Sequence, residues 1–198
     1  MSYTQAERLA LIRKNAEEGA KLRRALVDLH AERISDVAAR MAAAIGGGHK
    51  ILICGNGGSA ADSSHLATEL VVRLTAQRNR PALPAISLAA DASAITAAGN
   101  DFGFESIFAR QVEALGQKGD LLLALSTSGN SRNLLRAVEV ARHKGMGVIA
   151  LLGGAGGELA DKVDHAVIVP SDSTARIQEE HHFILHTLVE LVELDLFA

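Results

Sequence analysis

The chain has 198 residues, of which 48% are hydrophobic and only 3% aromatic, with no Trp and a formal net charge of −3. That length suits one hydrophobic core rather than two, and the near-balanced charge argues against a disordered chain or a dedicated polyanion binder, so no nucleic-acid partner is indicated. The single Cys54 cannot form an internal disulfide, no apolar leader opens the chain, and no run of about 18 apolar residues indicates a membrane span. The expectation is a cytoplasmic protein.

From Thr4 to about Ile45 the pattern is helical. Leu22, Leu26 and Leu29 share one face, Val37, Met41 and Ile45 repeat it, and Gly46-Gly47-Gly48 ends it. A break into two helices is expected near His30 to Ser35. Residues 1–47 form a helical extension whose apolar stripe wants a partner surface, which points to self-association.

Beyond Gly48 the texture changes to short apolar runs: Ile51 to Cys54, Ala85 to Ala89, Leu121 to Leu125, Val148 to Leu152 and Ala166 to Val169. Runs without polar alternation read as parallel strands buried on both faces, with helical crossovers between them. Cys54 falls inside the first run and is expected to be a buried core thiol. Thr174 to Phe197 reads as a long final helix with Ile177, Ile184, Leu185, Leu188, Leu191 and Leu194 as core positions.

Ligands of open α/β sheets gather at the carboxyl ends of the strands. Two loops there are dense in Gly, Ser and Asn: Gly55-Asn56-Gly57-Gly58-Ser59 after the first run, and Ser126-Thr127-Ser128-Gly129-Asn130-Ser131 after the third. Small hydroxyl residues at a helix start can cap the helix or, with its backbone N–H groups, cradle a phosphate. Four hydroxyls within six residues favour the phosphate. Neither loop matches a nucleotide-binding fingerprint. Beyond the first loop, His65 and Glu69 stand four apart on a helix and so share a face, able to bind a metal or exchange a proton. Asn100 and Asp101 lie in a glycine-framed segment, Gly99 to Gly103, which reads as a turn. Gln178, His181, His182 and His186 enter the final helix at positions that could point inward or outward. His186, set among apolar residues, needs a polar partner if buried.

In this order, Gly55-Asn56-Gly57-Gly58-Ser59-Ala60-Ala61-Asp62, His65 with Glu69, Gly99-Asn100-Asp101-Phe102-Gly103, Ser126 to Ser131, and Ala175-Arg176-Ile177-Gln178-Glu179 resemble the phosphoheptose isomerases of the sugar-isomerase (SIS) superfamily. The resemblance covers almost the whole chain. It implies an α/β fold, a five-stranded parallel flavodoxin-like sheet with helices on both faces and an N-terminal helical extension, as a single SIS domain over 1–198. It also implies a homotetramer and the isomerisation of sedoheptulose 7-phosphate to glycero-manno-heptose 7-phosphate, towards the heptose of lipopolysaccharide.

Carried over by motif, Ser126, Thr127, Ser128 and Ser131 hold the phosphate, and Asn56, Gly57, Gly58, Ser59, Asn100, Asp101 and Gln178 contact substrate. His65, Glu69, Gln178 and His186 match the positions that bind zinc, with Glu69 and His186 the acid/base pair. The same superfamily contains a non-catalytic assembly factor that binds the bacterial replication initiator, and this chain resembles it at Ser131-Arg132-Asn133, Gln178 and Leu196-Phe197. That factor lacks the carboxylate and histidine found here at Glu69 and His186, which favours the enzyme.

Overall fold

The computed structural model describes residues 3–198. Its first helix, α1 (Gln5–Gly46), opens with a capping box: the Thr4 hydroxyl accepts from the Glu7 N–H, and the Glu7 carboxylate accepts from the Thr4 N–H at 2.7 Å. There is no break near His30 to Ser35. That segment contains neither Pro nor Gly, its Ser is tolerated in a helix, and Ile34, Val37, Ala38 and Met41 hold it against the body. One face of the expected stripe also fails, because Leu29 is 64% exposed while Leu26 is fully buried.

The remaining elements alternate. They are β1 (Ile51–Gly55), α2 (Gly58–Val71), β2 (Ala85–Ser87), α3 (Ala92–Phe102), a 3₁₀ turn (Phe104–Ser106), α4 (Ala109–Leu115), β3 (Leu121–Ser126), α5 (Arg132–His143), β4 (Gly147–Gly153), β5 (His165–Val169) and α6 (Thr174–Phe197). All five strands are parallel, in the order β2-β1-β3-β4-β5. This is the flavodoxin-like order, which reverses direction between β1 and β3. β2 is shorter than its apolar run, since Leu88 and Ala89 already belong to the turn towards α3.

Period-two alternation sorts each strand between two cores. Ile51, Ile53, Leu121, Leu123, Leu125, Ile149 and Leu151 face α1, α2 and α6. Leu52, Cys54, Leu122, Ala124, Val148, Ala150 and Leu152 face α3, α4 and α5. Each fully buried aliphatic side chain contributes about 1.5–3 kcal/mol, so both faces are needed to hold the sheet. Cys54 is wholly inside the second core, where burial pushes its thiol pKa far up and leaves it inert. In α6 the expected core positions Ile177, Ile184, Leu185 and Leu188 are buried, whereas Leu194 is 43% exposed.

Two ion pairs fasten the frame. The Lys50 ammonium donates to Asp120 at 2.6 Å at the amino ends of β1 and β3. Arg80 and Glu193 pair at 2.7 Å with both side chains 2% exposed. Among the described residues no helix is long and apolar enough to cross a membrane.

Candidate active site

The carboxyl ends of β1 and β3 flank the point where strand order reverses, and both glycine- and serine-rich loops leave from there. Two amide hydrogen bonds tie them together: Asn56 donates to Asn133 at 2.9 Å and Asn133 returns one at 2.8 Å. Asn133 is buried in the first turn of α5, so Asn56 holds one loop to the other rather than hanging free. Ser59 is also buried, beneath the first loop and against Gly55.

The β3–α5 loop is built around its backbone. The Ser126 hydroxyl accepts from the Gly129 N–H at 3.0 Å and lies 3.5 Å from the Ser131 hydroxyl. Gly129 has φ +67°, and a Cβ there would strike the Gly156 carbonyl, so only glycine fits. Ser131 occupies the N-cap position of α5 without giving its side chain to the helix. Its hydroxyl and the helix's first N–H groups therefore remain available at the positive end of the dipole, the arrangement suited to an anion. Thr127 and Ser128 line a neighbouring polar cleft of about 350 Å³ together with Gly154, Asp172 and Thr174.

A second cluster lies between helices α2 and α6. His65 and Glu69 share a face of α2, with Nε2 and Oε1 3.7 Å apart. His186 of α6 meets His65 at 2.8 Å, Nε2 to Nε2, so one ring donates and the other accepts. This is the partner that a half-buried histidine in an apolar stretch requires. Burial holds the His186 pKa below the ordinary histidine value, with His182 and His65 pushing the same way and Glu69 and Glu190 opposing, which leaves the ring neutral near pH 7.

Sequence reasoning left two participants unassigned. His182 stacks on His65 with centroids 4.5 Å apart, and its Nδ1 lies 3.6 Å from Asp62 Oδ1. Arg80 donates to the backbone carbonyls of Glu69 and Leu70 at 2.7 and 2.8 Å while paired with Glu193 of α6, so one guanidinium fastens the carboxyl end of α2 to the other helix. The four-residue spacing of His182 and His186 was visible in the chain, but the inward face was not. Nothing local announces the role of Arg80 at the helix junction, since its partners there, Leu70, Glu69 and Glu193, lie 10, 11 and 113 residues away.

The expected site residues are distributed along α2, α3 and α6. His65, Glu69 and His186 come together. Gln178 lies two helical turns before His186, about 12 Å along α6, and its amide packs against Gly58. Asn100 and Asp101 are not in a turn: they form the exposed last turn of α3, ended by Gly103 at φ +81°, with the Asn100 amide donating to Asp101 at 2.8 Å. The neighbouring glycine is tolerated in the helix, so Gly99 does not interrupt it. His181 is fully buried beneath β4, its ring 3.1 Å from the Leu152 carbonyl, and belongs to the core.

His65, His182 and His186 could hold a metal ion, one ring nitrogen from each lying within 4.8 Å of the others. Zinc is bound by imidazole at ~2.0–2.1 Å, which in a tetrahedral site sets ligand nitrogens about 3.4 Å apart. Imidazole nitrogens with a carboxylate beside them are donors that suit zinc.

A family model described as the SIS domain matches residues 16–153. The phosphoheptose isomerase of Nitratidesulfovibrio vulgaris strain Hildenborough is 47% identical over 98% of this chain and 91% of its own length. That of Chlorobaculum parvum is 55% identical over 82% of this chain and 80% of its own. The solved structure of a phosphoheptose isomerase from Francisella tularensis superposes with a TM-score of 0.90 at 40% identity, covering 94% of this chain and 98% of the other. Identity of that extent, on a shared fold with the same loop and helix motifs, places the chain in the phosphoheptose isomerase family of SIS-domain enzymes, isomerases of sugar phosphates.

Proposed function

We propose that the chain converts sedoheptulose 7-phosphate to glycero-manno-heptose 7-phosphate through an enediol, as the first step towards a heptose-containing glycan such as lipopolysaccharide. The observation that carries the reading is the junction of His65 and Glu69 on α2 with His186 on α6, in a chain whose β3–α5 loop has a backbone and free hydroxyls that suit a phosphate. One end of the substrate needs proton transfer and the other needs anion binding. The two groups of residues supply both kinds of chemistry.

Glu69 takes the proton from C1 of the ketose. His186, neutral near pH 7, donates a proton to the developing oxygen at C2 and forms the enediol. Glu69 returns its proton to C2 while His186 recovers a proton from the C1 hydroxyl, which leaves the carbonyl on C1 and both groups as they began. Ser126, Thr127, Ser128 and Ser131 hold the phosphate, while Asn56, Gly57, Gly58, Ser59, Asn100, Asp101 and Gln178 define the path between the two ends. His65, Glu69, Gln178 and His186 would hold zinc, which when bound supplies Lewis-acid polarisation of the carbonyl.

Self-association belongs to the same reading. Leu9, Leu11 and Ile12 are 42–64% exposed on the first half of α1, an apolar face consistent with packing of residues 1–47 on further copies as a homotetramer.

The test is incubation with sedoheptulose 7-phosphate, following aldose formation before and after chelation and zinc return, beside pentulose and hexulose phosphates. Heptose formation at the highest kcat/KM supports the assignment. No aldose from any ketose with zinc present would discard it and favour a binding role of the replication-factor kind.

A further inference from the structure

One buried titratable side chain of α6 has no part in the proposed reaction. His181 is fully enclosed on the side of the helix towards β4, and its Nε2 lies 3.1 Å from the Leu152 carbonyl. A carbonyl only accepts, so Nε2 holds the proton. Burial pushes the His181 pKa below the ordinary histidine value, with the Leu152 carbonyl and the Asp62 charge opposing, and the ring is neutral. In a neutral imidazole the second nitrogen is an acceptor. That nitrogen, Nδ1, is buried and has no hydrogen-bond partner among the described residues.

Asp62 of α2 supplies the matching observation. Its Oδ1 lies 3.6 Å from Nδ1 of His182, the residue after His181, while its Oδ2 is buried and unpartnered. Among the described residues, Asp62 Oδ2 and His181 Nδ1 are the only two buried side-chain nitrogen or oxygen atoms left in this condition, and they stand on adjoining helices near enough for the carboxylate charge to act on the ring. Both are acceptors. Neither can satisfy the other, and each is costly to bury without a donor.

We propose that one buried water molecule joins Asp62 Oδ2 to His181 Nδ1, and that this bridge makes Asp62 and His181 positioning residues for the junction of α2 with α6. Water donates one proton to each acceptor, which satisfies a carboxylate and a ring nitrogen together with no proton moved between them. The resulting chain of hydrogen bonds runs from the Leu152 carbonyl on β4 through His181 to Asp62 on α2. A buried polar network with every member satisfied rigidifies what it joins. Asp62 lies three residues before His65 and His181 five before His186, so the bridge sets the helix separation at which those two rings meet at 2.8 Å. This rests on the isomerase reading only for its effect on turnover; the bridge itself is argued from the side chains.

The test begins with a high-resolution crystal structure of the full chain and nitrogen-15 spectra of its histidines. One water is expected within about 2.5–3.2 Å of both Asp62 Oδ2 and His181 Nδ1, with the His181 proton on Nε2. Direct contact between the two side-chain atoms, or a proton on Nδ1, overturns the bridge. Turnover then reads the positioning. His181→Phe keeps a ring and removes both nitrogens, so kcat should fall about 10-fold or more, because a small displacement of reacting groups is costly. Competitive inhibition by inorganic phosphate should stay unchanged, and His181→Gln, whose amide offers a donor and an acceptor, should restore most of kcat. A folded His181→Phe chain with full kcat overturns the positioning role, as does a loss of phosphate affinity in step with kcat, which marks general loosening. If His181→Phe does not fold, Asp62→Leu removes the other end of the bridge and is judged by the same readings. A wild-type chain that isomerises no sedoheptulose 7-phosphate sinks the substrate reading alone, since the crystal and the spectra judge the bridge without turnover.

Discussion

The two halves of the site are made in different ways. The β3–α5 loop works through backbone: a hydroxyl accepting from Gly129, a glycine that no other residue can replace, and a helix N-terminus. The α2–α6 face works through side chains on two rigid helices, with His65 and His186 meeting across 121 residues of chain. Anion binding needs many weak donors and tolerates small errors in each. Proton transfer needs one base and one acid within a few tenths of an ångström, and helices locked by Arg80 supply that rigidity.

If that division is right, damage to the helices should appear in kcat and damage to the loop in KM. The largest effect is expected from Glu69→Gln, which keeps the shape and removes the base: kcat should fall about 10²–10⁴-fold with an unchanged melting temperature. Retention of turnover would take Glu69 out of the mechanism. Next comes Arg80→Met. Leaving buried Glu193 with only the more distant Arg78, at 3.8 Å, should cost up to about 3–5 kcal/mol, measured by urea unfolding, and kcat should drop as α2 loosens. A stable variant with full kcat would show that the helix junction does not depend on this ion pair.

On the loop side, Ser126→Ala removes the acceptor for the Gly129 N–H. KM should rise by about 10-fold with kcat little altered, in line with about 1–3 kcal/mol for an unmet buried donor. A fall in kcat at constant KM would erase the distinction between the two halves. The smallest effect belongs to Gly58→Ala, which lies at the boundary. The new methyl would meet only the flexible end of Gln178, so stability should change by no more than about 1 kcal/mol, while KM should shift a few-fold as the amide moves.

The sequence disclosed these halves unequally. Buried parallel strands have no polar alternation, so the five runs were legible with boundaries off by a residue or two, apart from the early end of β2. The serine loop was legible because hydroxyls and glycines cluster within six consecutive residues. His65 and Glu69 were readable from their spacing on one helix. His182 was not singled out, because periodicity alone does not say which side of α6 faces α2; that depends on how the helices dock. The turn expected at Asn100 and Asp101 fails for a local reason: the helix stops only at Gly103, where positive φ becomes necessary. The expected break in α1 fails because nothing within His30 to Ser35 obstructs a helix whose later turns are buried.

The positions 178, 182 and 186 of α6 form a ladder with rungs about 6 Å apart at ~1.5 Å per residue. A substitution on one rung changes a single side chain and leaves the frame as it is, with His182 and His186 against His65 and Gln178 against Gly58. Inserting or deleting one residue between them would instead turn every later rung by about 100° and take it out of the cleft. Drift in metal preference among chains of this architecture should therefore proceed by substitution on the rungs, and length changes should be confined to loops away from this helix.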